Sequence, residues 1–277
     1  MHKLNLGTAL TGVILGALLL LASGGQASAR GMALSDYQLQ YETRLPDVDN
    51  LSSLTWWSKR GILMATTNRP ASILAISPEG KLLHRQAIDF IRDAESIESL
   101  GDNRFALVDE HNSRLWIVTI SEDFKVSVVK QFKPDFFGKA RNRGIEGLAW
   151  VEQDNTLWLA KERKPMALYR IRWQPETQAL SDLDDAGRIV NRLPLSDISG
   201  MDYYGGNLLI LSHESKMLLE VEPEQGTVVS RMSLRADQHG LKEDIPQAEG
   251  VTSDPGGTLY MVSEPNHFYR FVSAKKT

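Results

Sequence analysis

Cysteine is absent from all 277 residues. That excludes a disulfide framework, thiol catalysis, iron–sulfur ligation and zinc-finger sites. Excess positive charge is absent as well, since 35 acidic against 31 basic residues give a formal net charge of −4. A mildly acidic chain has no global attraction for nucleic acid or anionic lipid, so no nucleic-acid partner is expected. No G-x-x-x-x-G-K-[ST] or G-x-G-x-x-G run cradles a nucleotide. No G-x-S-x-G elbow presents a serine nucleophile. Beyond residue 22 no apolar stretch approaches the roughly 20 residues of a membrane-spanning helix. Long amphipathic helical patterns are missing throughout.

The apolar run that does exist stands at the front. Lys3 precedes a nearly continuous apolar segment, Leu10 to Ala22, and Ala27-Ser28-Ala29 follows as a small-x-small site. That order is a secretory leader. Residues 1–29 therefore read as a signal peptide and 30–277 as the exported domain, periplasmic or in the cell envelope. The alternative is an inner-membrane anchor formed by residues 6–22. Losing Lys3 with the leader takes the net charge from −4 to −5. Without cysteine, the exported domain must be held by core packing.

What remains repeats itself. Five runs share a pattern, with second positions at Ser52, Glu95, Glu146, Ser199 and Glu249, spaced 43, 51, 53 and 50 residues apart. Each is followed by a second run ending at Asn68, Glu110, Glu162, Glu214 and Glu264, at offsets of 16, 15, 16, 15 and 15. Between them lie turn residues such as Lys59-Arg60-Gly61, Gly205-Gly206-Asn207 and Pro255-Gly256-Gly257. Gly and Asn tolerate the positive φ of tight hairpins. Third runs follow at Ser72–Ile76, Arg114–Ile120, Ala167–Trp173, Met217–Val221 and Phe268–Val272. Fourth runs follow at Leu82–Ile88, Lys125–Phe132, Arg188–Leu193 and Thr227–Leu234. The fifth unit lacks a fourth run, and Tyr37–Glu42 alternates like an unused strand. The chain therefore predicts an all-β, five-bladed β-propeller of four-stranded blades, its ring closed by the N-terminal strand. A two-sheet sandwich would have no reason to repeat residue types at fixed offsets.

In a propeller the first strand of each blade lines the central channel and the second returns beside it. Starts of first strands and ends of second strands therefore share one mouth. That gathers Glu95, Glu146 and Glu249 with Glu110, Glu162, Glu214 and Glu264, next to Ser52, Ser199 and Asn68, with Asp93 and Asp197 two residues upstream. So many like charges need an offset: paired Arg or Lys (Arg69, Lys161, Arg163 and Lys164 are adjacent), protonation, or a cation. An oxygen-only donor set favours calcium over zinc or copper. The metal candidates are Glu95, Glu146, Glu249, Glu264 and Glu214. The competing expectation is that these glutamates bond neighbouring backbone N–H groups.

The runs Asn50–Trp56, Gly144–Trp150, Ser212-His213-Glu214-Ser215, Pro246–Gly250 and Ser263–Phe271 resemble the SdiA-regulated family of bacterial envelope proteins. The resemblance extends from about Tyr37 to the C-terminus. It implies a five-bladed propeller distantly related to NHL repeats, and a calcium site. The family name records regulation by a quorum-sensing transcription factor and names no activity. The Glu-Gly strand start is also similar to that of gluconolactonase-like propellers, where such a glutamate holds a divalent metal.

Other residues carry weaker signals. His111, His213 and His267 flank second-strand ends, where a general base could act. Trp56, Trp57 and Trp150 read as packing between blades. Gln174–Gly187, with Asp182, Asp184 and Asp185, reads as a solvated loop. Asp237–Pro246 reads as a loop over the channel that could set specificity. The first functional expectation is a divalent-cation-binding module that binds or senses a small molecule or envelope protein. The alternatives are a metal-dependent hydrolase of lactonase or phosphoesterase type and a protein-interaction platform. No catalytic residue is assigned.

Overall fold

The computed structural model describes residues 31–134 and 144–275. The expected leader, 1–29, and the membrane anchor that is its alternative lie outside the described residues. Among those described, no helix is long and apolar enough to cross a membrane.

Twenty strands form five four-stranded antiparallel sheets. A front strand, β1 (Tyr37–Arg44), precedes the first blade: β2 (Leu51–Trp57), β3 (Ile62–Asn68), β4 (Ala71–Ile76) and β5 (Leu82–Ala87). The second holds β6 (Ala94–Ser99), β7 (Arg104–Asp109), β8 (Arg114–Ile120) and β9 (Val126–Phe132). The third holds β10 (Ile145–Val151), β11 (Thr156–Lys161), β12 (Ala167–Gln174) and β13 (Ala179–Asp185). The fourth holds β14 (Gly200–Tyr204), β15 (Asn207–Ser212), β16 (Met217–Glu222) and β17 (Thr227–Ser233). The fifth holds β18 (Gln247–Ser253), β19 (Leu259–Glu264) and β20 (His267–Ser273), and β1 completes it by pairing antiparallel with β20. Each first strand meets that of the next blade, and β18 against β2 closes the ring.

Strand position follows from apolar pattern. Inner strands are covered on both faces by neighbouring blades, so β15 and β4 are almost wholly buried. Outer strands face solvent on one side, so β5 and β1 alternate. The core is five wedges, each shared by two adjacent blades. One wedge joins Trp57 and Ile73 of the first blade to Phe105 and Val118 of the second.

One strand differs from expectation. The fourth strand of the third blade is Ala179–Asp185, not Arg188–Leu193. Pro175–Gln178 makes a tight turn with Gln178 at φ 49°, so pairing starts at once, with Gln174 opposite Ala179 and Trp173 opposite Leu180. The expected strand is instead a short helical turn, α1 (Gly187–Val190), which buries Ile189, Val190 and Leu193 in the wedge between blades three and four. Asp237–Pro246 also differs. Its Leu241 and Ile245 are buried with β1, Leu39 N–H donates to His239 O (2.8 Å), and His239 Nδ1 lies 2.8 Å from Tyr37 O. That loop clasps the closing strand rather than covering the channel.

Candidate metal centre

In four of the five repeats the second position is where the ladder breaks, and in the fourth blade pairing begins without a break at Gly200, after Ser199. Register shifts fall between Leu51 and Ser53, Ala94 and Ser96, Ile145 and Gly147, and Ala248 and Gly250. The extra residues are Ser52, Glu95, Glu146 and Glu249. A β-bulge leaves its extra residue unpaired and re-aims its side chain. Here that turns the glutamates toward the channel. The position after the bulge stays small because inner strands approach closely. A Cβ on Gly250 would lie 2.7 Å from backbone atoms Leu54 N and Ser53 C.

The result is an open cavity of about 430 Å³, lined by Glu95, Glu110, Glu146, Glu162, Glu249 and Glu264 against Arg69, Arg163 and His213. Four of the five metal candidates therefore meet: Glu95, Glu146, Glu249 and Glu264. Glu214 stays on the rim, where Arg163 Nη1 holds it at 2.5 Å. Ser52 and Ser199 turn away, and their hydroxyls donate to Asn50 O (3.1 Å) and Ala248 O (2.7 Å). Asn68 Nδ2 donates to Glu95 Oε1 (3.1 Å).

Asp93, Glu95 and Glu110 draw closest, with one oxygen of each lying within 4.8 Å of the others. Oxygens that share one calcium ion lie at most about 4.8 Å apart, so these are the three residues that could hold one together. Some offsets come from the protein. Arg69 pairs with Asp93 (2.9 Å), and Arg163 also pairs with Glu162. Gly144 N–H donates to Glu110 Oε1 (2.8 Å), the structural role expected of such glutamates. Lys161 instead donates to the Arg163 and Pro165 carbonyls, each at 3.0 Å.

The remaining charge is poorly compensated. Glu95 and Glu146 keep some exposure because they face the cavity, yet protein surrounds them closely enough to cost each carboxylate most of its hydration. Burial raises Glu95 to about 8, with the Asp93 and Glu110 charges adding to it. Burial raises Glu249 to about 9, helped by Glu264, Glu95 and Glu162. Glu146 stands well above the carboxylate range, from burial first and then from Glu95, Glu110, Glu249 and Glu162. None of those leading influences on Glu146 is a hydrogen bond or a cation. Burial likewise raises Glu110 and Glu264.

Of the histidines, His213 reaches the cavity, its Nδ1 3.1 Å from Asp197 Oδ2 and 3.7 Å from Glu249 Oε1. His111 lies by Arg92, and His267 stacks on Tyr269, away from the mouth. The triad partner Asp93 stood two residues upstream of Glu95 in the sequence.

The SdiA-regulated family model matches residues 29–272. The chain belongs to that family. Among solved structures, the propeller of this SdiA-regulated family member is similar to the crystal structure of Myxococcus xanthus glutaminyl cyclase, with a TM-score of 0.62 at 16% identity, covering 85% of this chain and 95% of that one. It is also similar to a chain of a nidogen/laminin complex, with a TM-score of 0.51 at 13% identity over 78% of this chain and 73% of that one. A luciferin-regenerating enzyme gives a TM-score of 0.50 at 13% identity over 81% and 78%. At these identities the likeness is one of fold.

Proposed function

We propose that this protein is an exported envelope propeller whose acidic mouth holds a divalent cation, and that the loaded mouth binds or senses another molecule. Calcium is the ion, because the donors are carboxylate and amide oxygens and nitrogen contributes little. Asp93, Glu95 and Glu110 would hold it most tightly, with Glu146, Glu249 and Glu264 completing the acidic ring. The observation that carries this reading is that Asp93, Glu95 and Glu110 bring one oxygen each within 4.8 Å of the others, at a cavity that Glu146, Glu249 and Glu264 also line. A divalent cation there offsets the clustered carboxylates and ties the second, third and fifth blades around one point.

A second reading has its own support. His213 beside Glu249 places a base within the same cavity, where a bound cation would polarise a carbonyl or phosphoryl group. That is the metal-dependent hydrolase of lactonase or phosphoesterase type.

Thermal unfolding of the purified chain in EDTA, then with calcium, magnesium or zinc restored, tests the first reading. A cation at a hundred times its dissociation constant adds about 2.7 kcal/mol, which raises Tm by several degrees. A calcium-selective rise is expected, and no shift with any ion refutes the site. Turnover of a lactone and phosphoester panel that disappears in Glu146→Gln would promote the second reading.

A further inference from the structure

The inner strands carry another repeat position, three residues beyond the first: Thr55, Glu98, Ala149, Asp202 and Thr252. All but Ala149 line a second cavity, of about 680 Å³, at the opposite end of the channel among the hairpin turns. Each of these oxygen-bearing side chains accepts from the backbone of the next blade. Ser99 N–H donates to Thr55 Oγ1 and Trp56 N–H to Thr252 Oγ1, both at 3.1 Å. Trp150 N–H donates to Glu98 and Ser253 N–H to Asp202, whose Oδ2 also accepts from Ser253 Oγ (2.8 Å).

Threonine performs this linking at 55 and 252 with no charge to bury. Glu98 and Asp202 perform it with carboxylates only 5% and 7% exposed. No Lys or Arg pairs with either among the described residues, although Lys59 stands on the rim. Linking blades therefore does not account for the charge. The walls narrow the choice of what does. Trp56, Trp150, Tyr203 and Tyr204 line the cavity. Trp150 is 9% exposed, and among the described residues neither its indole N–H nor that of Trp56 has a partner.

Buried carboxylates attract a positive group. Aromatic faces do the same through the ring quadrupole, and they also favour an apolar shell around that group. Among the described residues, no three carboxylates of this cavity bring one oxygen each within 4.8 Å of one another, as Asp93, Glu95 and Glu110 do at the mouth. We propose that this cavity binds the ammonium group of a small organic cation, with Glu98 and Asp202 as counter-ions and the Trp56, Trp150 and Tyr203 rings as walls.

Choline and its uncharged isostere 3,3-dimethylbutan-1-ol test this directly, by calorimetry and tryptophan fluorescence on the full chain. Cyclohexylammonium against cyclohexanol extends the comparison to primary ammonium. The cations are expected to bind at least about tenfold more tightly than their isosteres. Glu98→Gln and Asp202→Asn keep an acceptor oxygen for the inter-blade N–H groups. Each should weaken cation binding about tenfold while the melting temperature holds or rises, because burial disfavours both charges and Asp202 repels Glu98. Trp150→Phe, which keeps a ring, should weaken it less than Trp150→Ala. EDTA should leave binding unchanged, which separates this cavity from the acidic mouth. Equal affinity for isostere and cation overturns the proposal. So does binding of glucose that survives both charge-removing variants, or no response to either cation.

Discussion

Glu146 shows how a side chain useful with a ligand is costly without one. Its neighbours repel its charge, so Glu146→Gln should raise Tm in EDTA by about 2–4 °C, the shift expected of roughly 1 kcal/mol in a domain this size. The same variant should lose most of the calcium-dependent rise. Acidity gives a second check. Glu95 and Glu249 titrate near 8 and 9 folded, against an ordinary 4.5. The folded chain therefore keeps protons that the unfolded chain releases, and that stabilisation is complete below about pH 4.5 and lost as pH climbs toward 9. In EDTA, Tm should fall between pH 5 and 9, and the shift given by calcium should grow over the same range. A Tm that rises with pH in EDTA would contradict the buried, uncompensated ring. At this scale the sequence showed which carboxylates recur, because Glu95, Glu146 and Glu249 share one position. It concealed Glu98 and Asp202, because their repeat position also holds Thr55, Ala149 and Thr252 and carries no common residue type.

Strands were legible wherever burial left a period. β8 runs over Arg114–Ile120, as its apolar pattern predicts, and the alternating β1 and β5 mark outer positions. β13 was not legible, because its Ala-Leu-Ser start alternates weakly and the nearby Ile189, Val190 and Leu193 imitate a strand. Only tertiary packing separates the two, by burying those three residues in a wedge. The bulges were invisible too, since a register shift depends on the partner strand. Their geometry still leaves a sequence trace in the small residue that follows. Gly250→Ala would push a methyl into the backbone of β2 at 2.7 Å. It should cost about 1–3 kcal/mol in urea unfolding, and because the bulge positions Glu249 it should also weaken calcium binding. Loss of neither would mean that the inner strands yield more easily than their spacing implies.

At the level of the ring, every wedge borrows from two blades, so no blade owns a complete core. Urea unfolding followed by circular dichroism and by tryptophan fluorescence should give coincident single transitions. Deleting residues 267–277 removes β20, strips β1 of its partner and opens the wedge that contains Phe268. That truncated chain should lose the sharp transition, and retention of it would show that four blades suffice. The join between β1 and β20 also sets a clock. Tyr37 is among the first described residues to be synthesised, and its partner Ser273 is among the last. The earliest strand must wait, unpaired, while more than two hundred residues emerge. A nascent chain therefore has no closed ring until β20 is made, and the two wedges that contain β20 are the last to fill.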